Sequence, residues 1–309
     1  MSVLHSPSFF PPIFFASFHW GTYPFLLIMD SVKVESVWFS DFQKELPRVD
    51  GKVFCITGTT SGTGYVAART AAQLGGEVVL LNRPSERATA ALTKLQQEVP
   101  NGKFVPVDCD LQNFASVRRA AQDVKSQYTA LFAVCWNAGI MATPDRATVD
   151  GYDEQMQTNH LSHFLLTAEL FPLLEACAKE TSESPRIVNH SSGGRHMTPH
   201  KTLERQYLEK NGGNLGGNDV TGGFSGAPFV RYCHSKLANA VFTKALHQKL
   251  QARRGHKILA ICADPGMSAT SLGNHMKGDS GGDGKFEKMM ESMGTCVRGS
   301  FVWSPVFLA

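Results

Sequence analysis

Residues 51–64 read GKVFCITGTTSGTG, and this stretch decides the fold. Lys52–Thr57 is a short apolar run with β-branched and aromatic members, the signature of a buried strand. Gly58, Gly62 and Gly64 follow, and YVAARTAAQL (Tyr65–Leu74) reads as a helix. A strand that turns through glycines into a helix aims free N–H groups and the positive helix end at one point, which suits a phosphate. Gly58 and Gly62 can take backbone angles closed to other residues, and without a Cβ a pyrophosphate can come close. Gly64 lets the helix lie against the strands. The spacing is T-G-x-x-x-G-x-G rather than G-x-G-x-x-G, so the loop alone does not separate a nucleotide site from a tight turn.

Downstream, strand and helix alternate. Strands are expected at Glu77–Asn82, Lys103–Val107, Ala130–Trp136, Pro185–His190 and Lys257–Ala263. Helices are expected at Ser85–Val99, with Ser85 as N-cap, then Asn113–Gln127, within Asp150–Lys179, and Phe229–Gln251. This succession predicts a doubly wound parallel sheet of six strands with helices on both faces, a seventh strand being in doubt. Ligands of such sheets sit beyond the carboxyl ends of the strands.

The 309 residues are 42% hydrophobic and 18% charged, enough for a sizeable core. A net charge of +3, with no basic cluster interleaved with aromatics, argues against nucleic acid. The seven cysteines are scattered without a C-x-x-C pair, which favours a reducing compartment, cytoplasmic or organellar, and no metal site. His196 and His200 are separated by Pro199 and do not form a helical zinc motif. Residues 1–30 contain neither Lys nor Arg, so they lack a secretory n-region; a disordered leader is favoured over a targeting segment or peripheral membrane contact. Residues 31–273 form the expected single domain, and 274–309 an atypical tail. Residues 193–228 are Gly-rich and long for a loop, which marks a functional or mobile segment.

Several residues could do chemistry. Tyr232 and Lys236 stand one helical turn apart in YCHSK and share a face. Free Tyr titrates near about 10, and a nearby ammonium favours the phenolate, so the pair reads as a proton-exchange device or as an ordinary helix surface. Ser191 and Ser192 end the fifth strand, where a hydroxyl can donate to a carbonyl; no G-x-S-x-G elbow surrounds them. Asn137-Ala138-Gly139 ends the fourth strand, Asp108-Cys109-Asp110-Leu111 the third, and Asn159 interrupts a helix. After the second strand stand Asn82, Arg83 and Pro84. A guanidinium without a carboxylate suits a ribose 2′-phosphate, hence NADP(H) ahead of NAD(H).

Together and in this order, over residues 50–272, these residues resemble the short-chain dehydrogenase/reductase family. The matching loop is Thr57, Gly58, Thr60, Ser61, Gly62, Thr63 and Gly64; Asn137, Ala138 and Gly139 resemble its N-N-A-G, with Trp136 in place of the first Asn. Pro265, Gly266 and Thr270 resemble the segment touching nicotinamide. YCHSKLAN, NHLSHFLLT and Arg83 look most like the retinol dehydrogenase and protochlorophyllide reductase branch. The resemblance implies cofactor contacts at these positions and at Arg83, Asp110, Leu111, Tyr232 and Lys236. It implies hydride transfer to or from a lipophilic alcohol or carbonyl, with residues 193–228 as a lid. Tyr232 would be the general acid/base, Lys236 would hold the ribose and lower the Tyr pKa, Ser192 would orient the substrate oxygen, and Asn159 would hold a water. The sequence does not fix the oligomeric state, although family members commonly pair through long helices, which leaves a homodimer open. A non-catalytic or truncated nucleotide-binding member and a C=C reductase stay open as alternatives.

Overall fold

The computed structural model describes residues 39–217, 225–253 and 255–266. Thr270, the leader and the tail, and with them the doubtful seventh strand, lie outside the described residues. The expected strands are all present: β1 (Val53–Thr57), β2 (Glu77–Asn82), β3 (Lys103–Asp108), β4 (Ala133–Trp136), β5 (Arg186–His190) and β6 (Leu259–Ala263). They form one parallel sheet in the order β3-β2-β1-β4-β5-β6. The order reverses between β1 and β4, and the crevice at that switch point is where a doubly wound sheet takes its ligand.

Period-two alternation assigns the faces. Phe54 and Ile56 of β1 and Val78 and Leu80 of β2 pack in one cluster, with α2 (Gly62–Gln73) and α3 (Glu86–Glu98). Cys55, Val79 and Leu81 point the other way, into a second cluster with α4 (Phe114–Gln127) and α6 (Ser162–Glu180). The last long helix, α7 (Gly226–Gln251), lies against β5 and β6 and contributes Leu250 to that second cluster. A short α1 (Phe39–Glu45), not foreseen from the sequence, precedes the sheet.

Two elements depart from expectation in ways that shape the site. The helix expected within 150–179 begins as α5 (Glu154–Met156), passes through a π-helical turn at Gln157–Leu161 and continues as α6. π-turns re-aim side chains and are frequent at functional sites. Residues 193–217 are not structureless. They carry 3₁₀ turns at Gly193–His196 and Arg205–Tyr207. They are also pinned: Arg231 donates to the Gly216 carbonyl (2.8 Å), Asn211 and Gly212 donate to Gly151, and Tyr207 stacks on His234.

Candidate active site

An open cleft of about 430 Å³ runs along the carboxyl ends of the strands. Its floor is the glycine loop. Gly58 and Gly62 have φ of +70° and +59°, the left-handed region expected of them. The missing Cβ atoms also serve the protein itself. A Cβ on Gly58 would lie 2.8 Å from Ala138 Cα, and one on Gly64 would lie 2.3 Å from the Gly58 carbonyl oxygen. Thr60, Ser61, Gly62 and Thr63 line the cleft, whereas Thr57 and Gly64, expected to touch cofactor, are buried beneath it. Thr57 points inward because its hydroxyl bonds His163 Nε2 (3.0 Å) and accepts from the Ala138 N–H (3.1 Å).

Asn137 fastens this floor to β4. Its amide nitrogen donates to the Thr57 and Gly58 carbonyls (3.0 and 3.1 Å), and its oxygen accepts from Thr63 Oγ1 (2.7 Å) and His190 Nδ1 (3.0 Å). That arrangement fixes the amide orientation and puts the His190 proton on Nδ1. Trp136, the departure from the family pattern, leaves no polar group stranded. Its indole N–H donates to Thr167 Oγ1 (2.8 Å), and its ring stacks on His163 at 5.6 Å.

At one end of the cleft stand Arg83, as expected, and Arg87, which sequence reasoning missed. Arg87 is the second residue of α3 and donates to Ser61 Oγ. The rule applied to the sequence inspects only the residues at the strand end, so a cation a helical turn later escaped it. Asn82 occupies the place of an acid and instead pairs with Thr59 backbone N–H and Oγ1 (2.9 and 2.8 Å). Asp110 and Leu111 line the wall beside it.

At the other end, Ser191, Ser192, Tyr232, Lys236, Pro265 and Gly266 converge. The two serines separate by role: Ser191 Oγ donates to the Lys236 carbonyl (2.8 Å), while Ser192 Oγ accepts from the Gly194 N–H (3.2 Å) and lowers the pKa of the Tyr232 phenol. Lys236 is 4% exposed; its Nζ donates to the His190 carbonyl (3.0 Å) and lies 5.8 Å from the Tyr232 ring centre. Burial lowers its pKa to about 8, with Asp264 opposing.

The expected acidification of Tyr232 by Lys236 is corrected. Burial pushes the phenol up to about 12, with Ser192 the group that holds it down and Cys233 and Asp264 pushing it higher. Lys236 spends a hydrogen bond on the His190 carbonyl instead, and desolvation of the phenolate wins. Asn159, expected to be catalytic, is fully buried and does not line the cleft; its neighbour Thr158 does. Its side chain is committed to both backbone groups of Ile140 (2.8 and 2.9 Å) and to Ser235 Oγ (2.8 Å). It still abuts the centre: a Cβ on Gly139 would lie 3.2 Å from Asn159 Oδ1 and 3.3 Å from Lys236 Nζ.

The sequence and fold that build this glycine-floored cleft, with Ser192, Tyr232 and Lys236 at one end, have counterparts in known proteins. The short chain dehydrogenase family model matches residues 52–202. Zebrafish polyprenol dehydrogenase is 32% identical over 251 residues, covering 80% of this chain and 72% of that protein. The chain belongs to the short-chain dehydrogenase/reductase family. Within it, the relatives place the chain in the retinol dehydrogenase-like branch. Mouse retinol dehydrogenase 11 is 31% identical, covering 81% of this chain and 72% of that protein. The human polyprenol dehydrogenase is 32% identical over 74% of this chain, which spans only 64% of that relative's length.

Among solved members, an uncharacterised protein from Mycobacterium paratuberculosis superposes with a TM-score of 0.59 at 32% identity, over 76% of this chain and 75% of that one. A Burkholderia phymatum short-chain dehydrogenase/reductase in complex with NAD gives 0.57 at 18% identity, over 81% and 80%, a likeness of fold alone.

Proposed function

We propose that this oxidoreductase uses NADP(H) to interconvert a lipophilic alcohol and its carbonyl, of retinoid, steroid or lipid type. The observation that carries the chemistry is the convergence of Ser192, Tyr232 and Lys236 at one end of the cleft. A dinucleotide fits the residues present. The N-cap residue of α2, Ser61, makes no capping hydrogen bond with its side chain, whereas Ser85 and Asn113 cap α3 and α4, so the α2 N-terminus suits a pyrophosphate. Arg83 and Arg87, with no acid at the end of β2, suit a 2′-phosphate. The lipophilic substrate class is supported by the names of the relatives, polyprenol and retinol dehydrogenases.

A nicotinamide cofactor, when bound, supplies or takes the hydride. The chain's own residues manage the substrate oxygen. Ser192 donates to it and holds it beside Tyr232. Tyr232, protonated at neutral pH because of its burial, gives the proton to the forming alkoxide. The Lys236 ammonium would hold the ribose of a bound cofactor and balances negative charge at the phenol as the proton leaves.

Two results follow. Replacing Arg83 and Arg87 together with Ala raises the KM for NADPH by about 10- to 100-fold, the cost of losing one or two charge-assisted hydrogen bonds. The KM for NADH changes little, and steady-state kinetics with both cofactors on a panel of lipophilic aldehydes checks this. An equal loss with both cofactors removes the 2′-phosphate assignment. The second concerns pH. Lys236 is charged below its pKa of about 8 and neutral above it, while Tyr232 stays protonated across this range. The kcat/KM for carbonyl reduction therefore holds level towards neutral pH and falls as pH rises through about 8. A profile that rises through this region assigns the limb to another group.

A further inference from the structure

Asn239 lies one turn beyond Lys236 on α7 and is 2% exposed. Its amide nitrogen donates to two backbone carbonyls, those of Asn159 and His190, both at 3.0 Å. The His190 carbonyl is the same oxygen that receives the Lys236 ammonium. The Asn159 carbonyl lies in the π-helical turn and also faces His163 Nδ1 (3.0 Å). With both amide hydrogens so placed, Asn239 Oδ1 must be the acceptor of its contact with His160 Nδ1 (3.0 Å). His160 therefore carries its proton on Nδ1. Burial lowers its pKa to about 4, which keeps it neutral at physiological pH.

Every polar atom of the Asn239 side chain is thus committed. The side chain joins the end of β5 to the π-turn, and Lys236 donates into that junction. On the far side of Asn239, its carbonyl accepts from Thr243 Oγ1 (2.7 Å), whose hydroxyl in turn accepts from Asn189 of β5 (3.0 Å). A chain of hydrogen bonds therefore fixes one face of α7 against β5 directly below the ammonium. Resting on the proposed oxidoreductase reading, we propose that Asn239 is a positioning residue for Lys236. Its amide, oriented by the His160 Nδ1–H, ties the His190 carbonyl to the Asn159 carbonyl of the π-turn and so holds the His190 oxygen where the ammonium needs it. The relay is ordered: His160 orients Asn239, Asn239 fixes the carbonyl, and the carbonyl anchors Lys236 beside Tyr232. The family resemblance directs attention to Asn159 itself; the bonds to its carbonyl direct it to Asn239.

The test reads Lys236 directly. Lysine ¹³Cε NMR titration, with the signal assigned by Lys236→Met, gives its midpoint in the enzyme without substrate. The groups acting on Lys236 are Asp264 and Cys262, while His163 and His190 feel its charge in return. Asn239→Asp adds a carboxylate that shares the same junction, so the Lys236 midpoint moves to higher pH. Asn239→Leu, close in volume and without hydrogen bonds, lowers kcat by about 10- to 100-fold while KM for carbonyl and NADPH stay within about threefold, as expected for a misplaced group. If Asn239→Leu does not fold, as judged by circular dichroism, His160 carries the same comparison. His160→Leu lowers kcat, and His160→Asn, which returns a donor at the Nδ1 position, recovers most of the loss.

A Lys236 midpoint in Asn239→Asp equal to wild type overturns the proposal, as does wild-type kcat in folded Asn239→Leu. Failure of the oxidoreductase reading looks different. The wild-type enzyme would then turn over no carbonyl, while the Lys236 titration still decides the role of Asn239.

Discussion

Tyr232→Phe lowers kcat/KM for carbonyl reduction by about 10³-fold, the middle of the range that a positioned general acid contributes. The substitution removes one oxygen and little else. The ring is 4% exposed and packs with Met141, Ala142, Phe229 and Cys233, contacts that phenylalanine keeps. Its stacking on Phe229, 5.8 Å between centres, does not use the hydroxyl. The expected pattern is therefore specific: unchanged circular dichroism, NADPH affinity within about threefold, and loss confined to turnover. Ser192 keeps its hydrogen bond from the Gly194 N–H (3.2 Å) and holds its local turn. A Tyr232→Phe enzyme with full activity moves proton delivery to another group. A Tyr232→Phe enzyme that no longer binds NADPH makes the residue part of the cofactor site instead.

The second large effect is on stability. Asn137→Ala removes an amide that serves four groups: the Thr57 and Gly58 carbonyls, the Thr63 hydroxyl and the His190 Nδ1–H. Each buried polar group left without a partner costs about 1–3 kcal/mol. Water can reach those nearest the cleft, so the expected loss is about 3–5 kcal/mol rather than the full total. That is a large share of an ordinary domain's stability. Urea unfolding monitored by tryptophan fluorescence checks it, Trp136 being next in sequence and buried in the core. Because Asn137 joins the glycine loop to β4, NADPH binding weakens in parallel and added NADPH recovers only part of the midpoint. A midpoint within about 1 kcal/mol of wild type shows that the loop holds its shape without this staple.

Much of the architecture is legible in the sequence because it rests on periodicity and punctuation. β2 has the expected limits, and the expected cap Ser85 accepts from the Ala88 N–H. Gly58 and Gly62 take the left-handed conformations that their place after a strand demands. The convergence of Ser192, Tyr232 and Lys236, the proposed catalytic trio, is legible for a different reason. Tyr232 and Lys236 lie one turn apart on one helix, and Ser192 lies at a strand end, so local spacing and sheet topology suffice to bring them to the same edge.

What was not legible depends on tertiary burial. A Tyr–Lys pair in isolation predicts an acidic phenol; only the fold shows that both groups are desolvated and that Lys236 is turned to a carbonyl. Thr57 reads as a cofactor contact by motif, yet its hydroxyl is taken by His163, a residue 106 positions away. The π-turn at Gln157–Leu161 leaves no mark in hydrophobic spacing, and it decides that Thr158 rather than Asn159 reaches the cleft. Arg87 and Asn239 escape for a related reason. Each is ordinary on its own helix and gains its role from a loop or strand end brought to it by folding.

The central claim is that Ser192, Tyr232 and Lys236 direct a hydride from NADPH to a lipophilic carbonyl. Incubation of the enzyme with NADPH deuterated at the nicotinamide C4, together with retinal or a polyprenyl aldehyde, tests this by mass spectrometry of the product. The account predicts an alcohol carrying one deuterium from wild-type enzyme and almost none from Tyr232→Phe. Tight NADPH binding with no deuterium in any product alcohol, across a panel of lipophilic aldehydes and ketones, would contradict it.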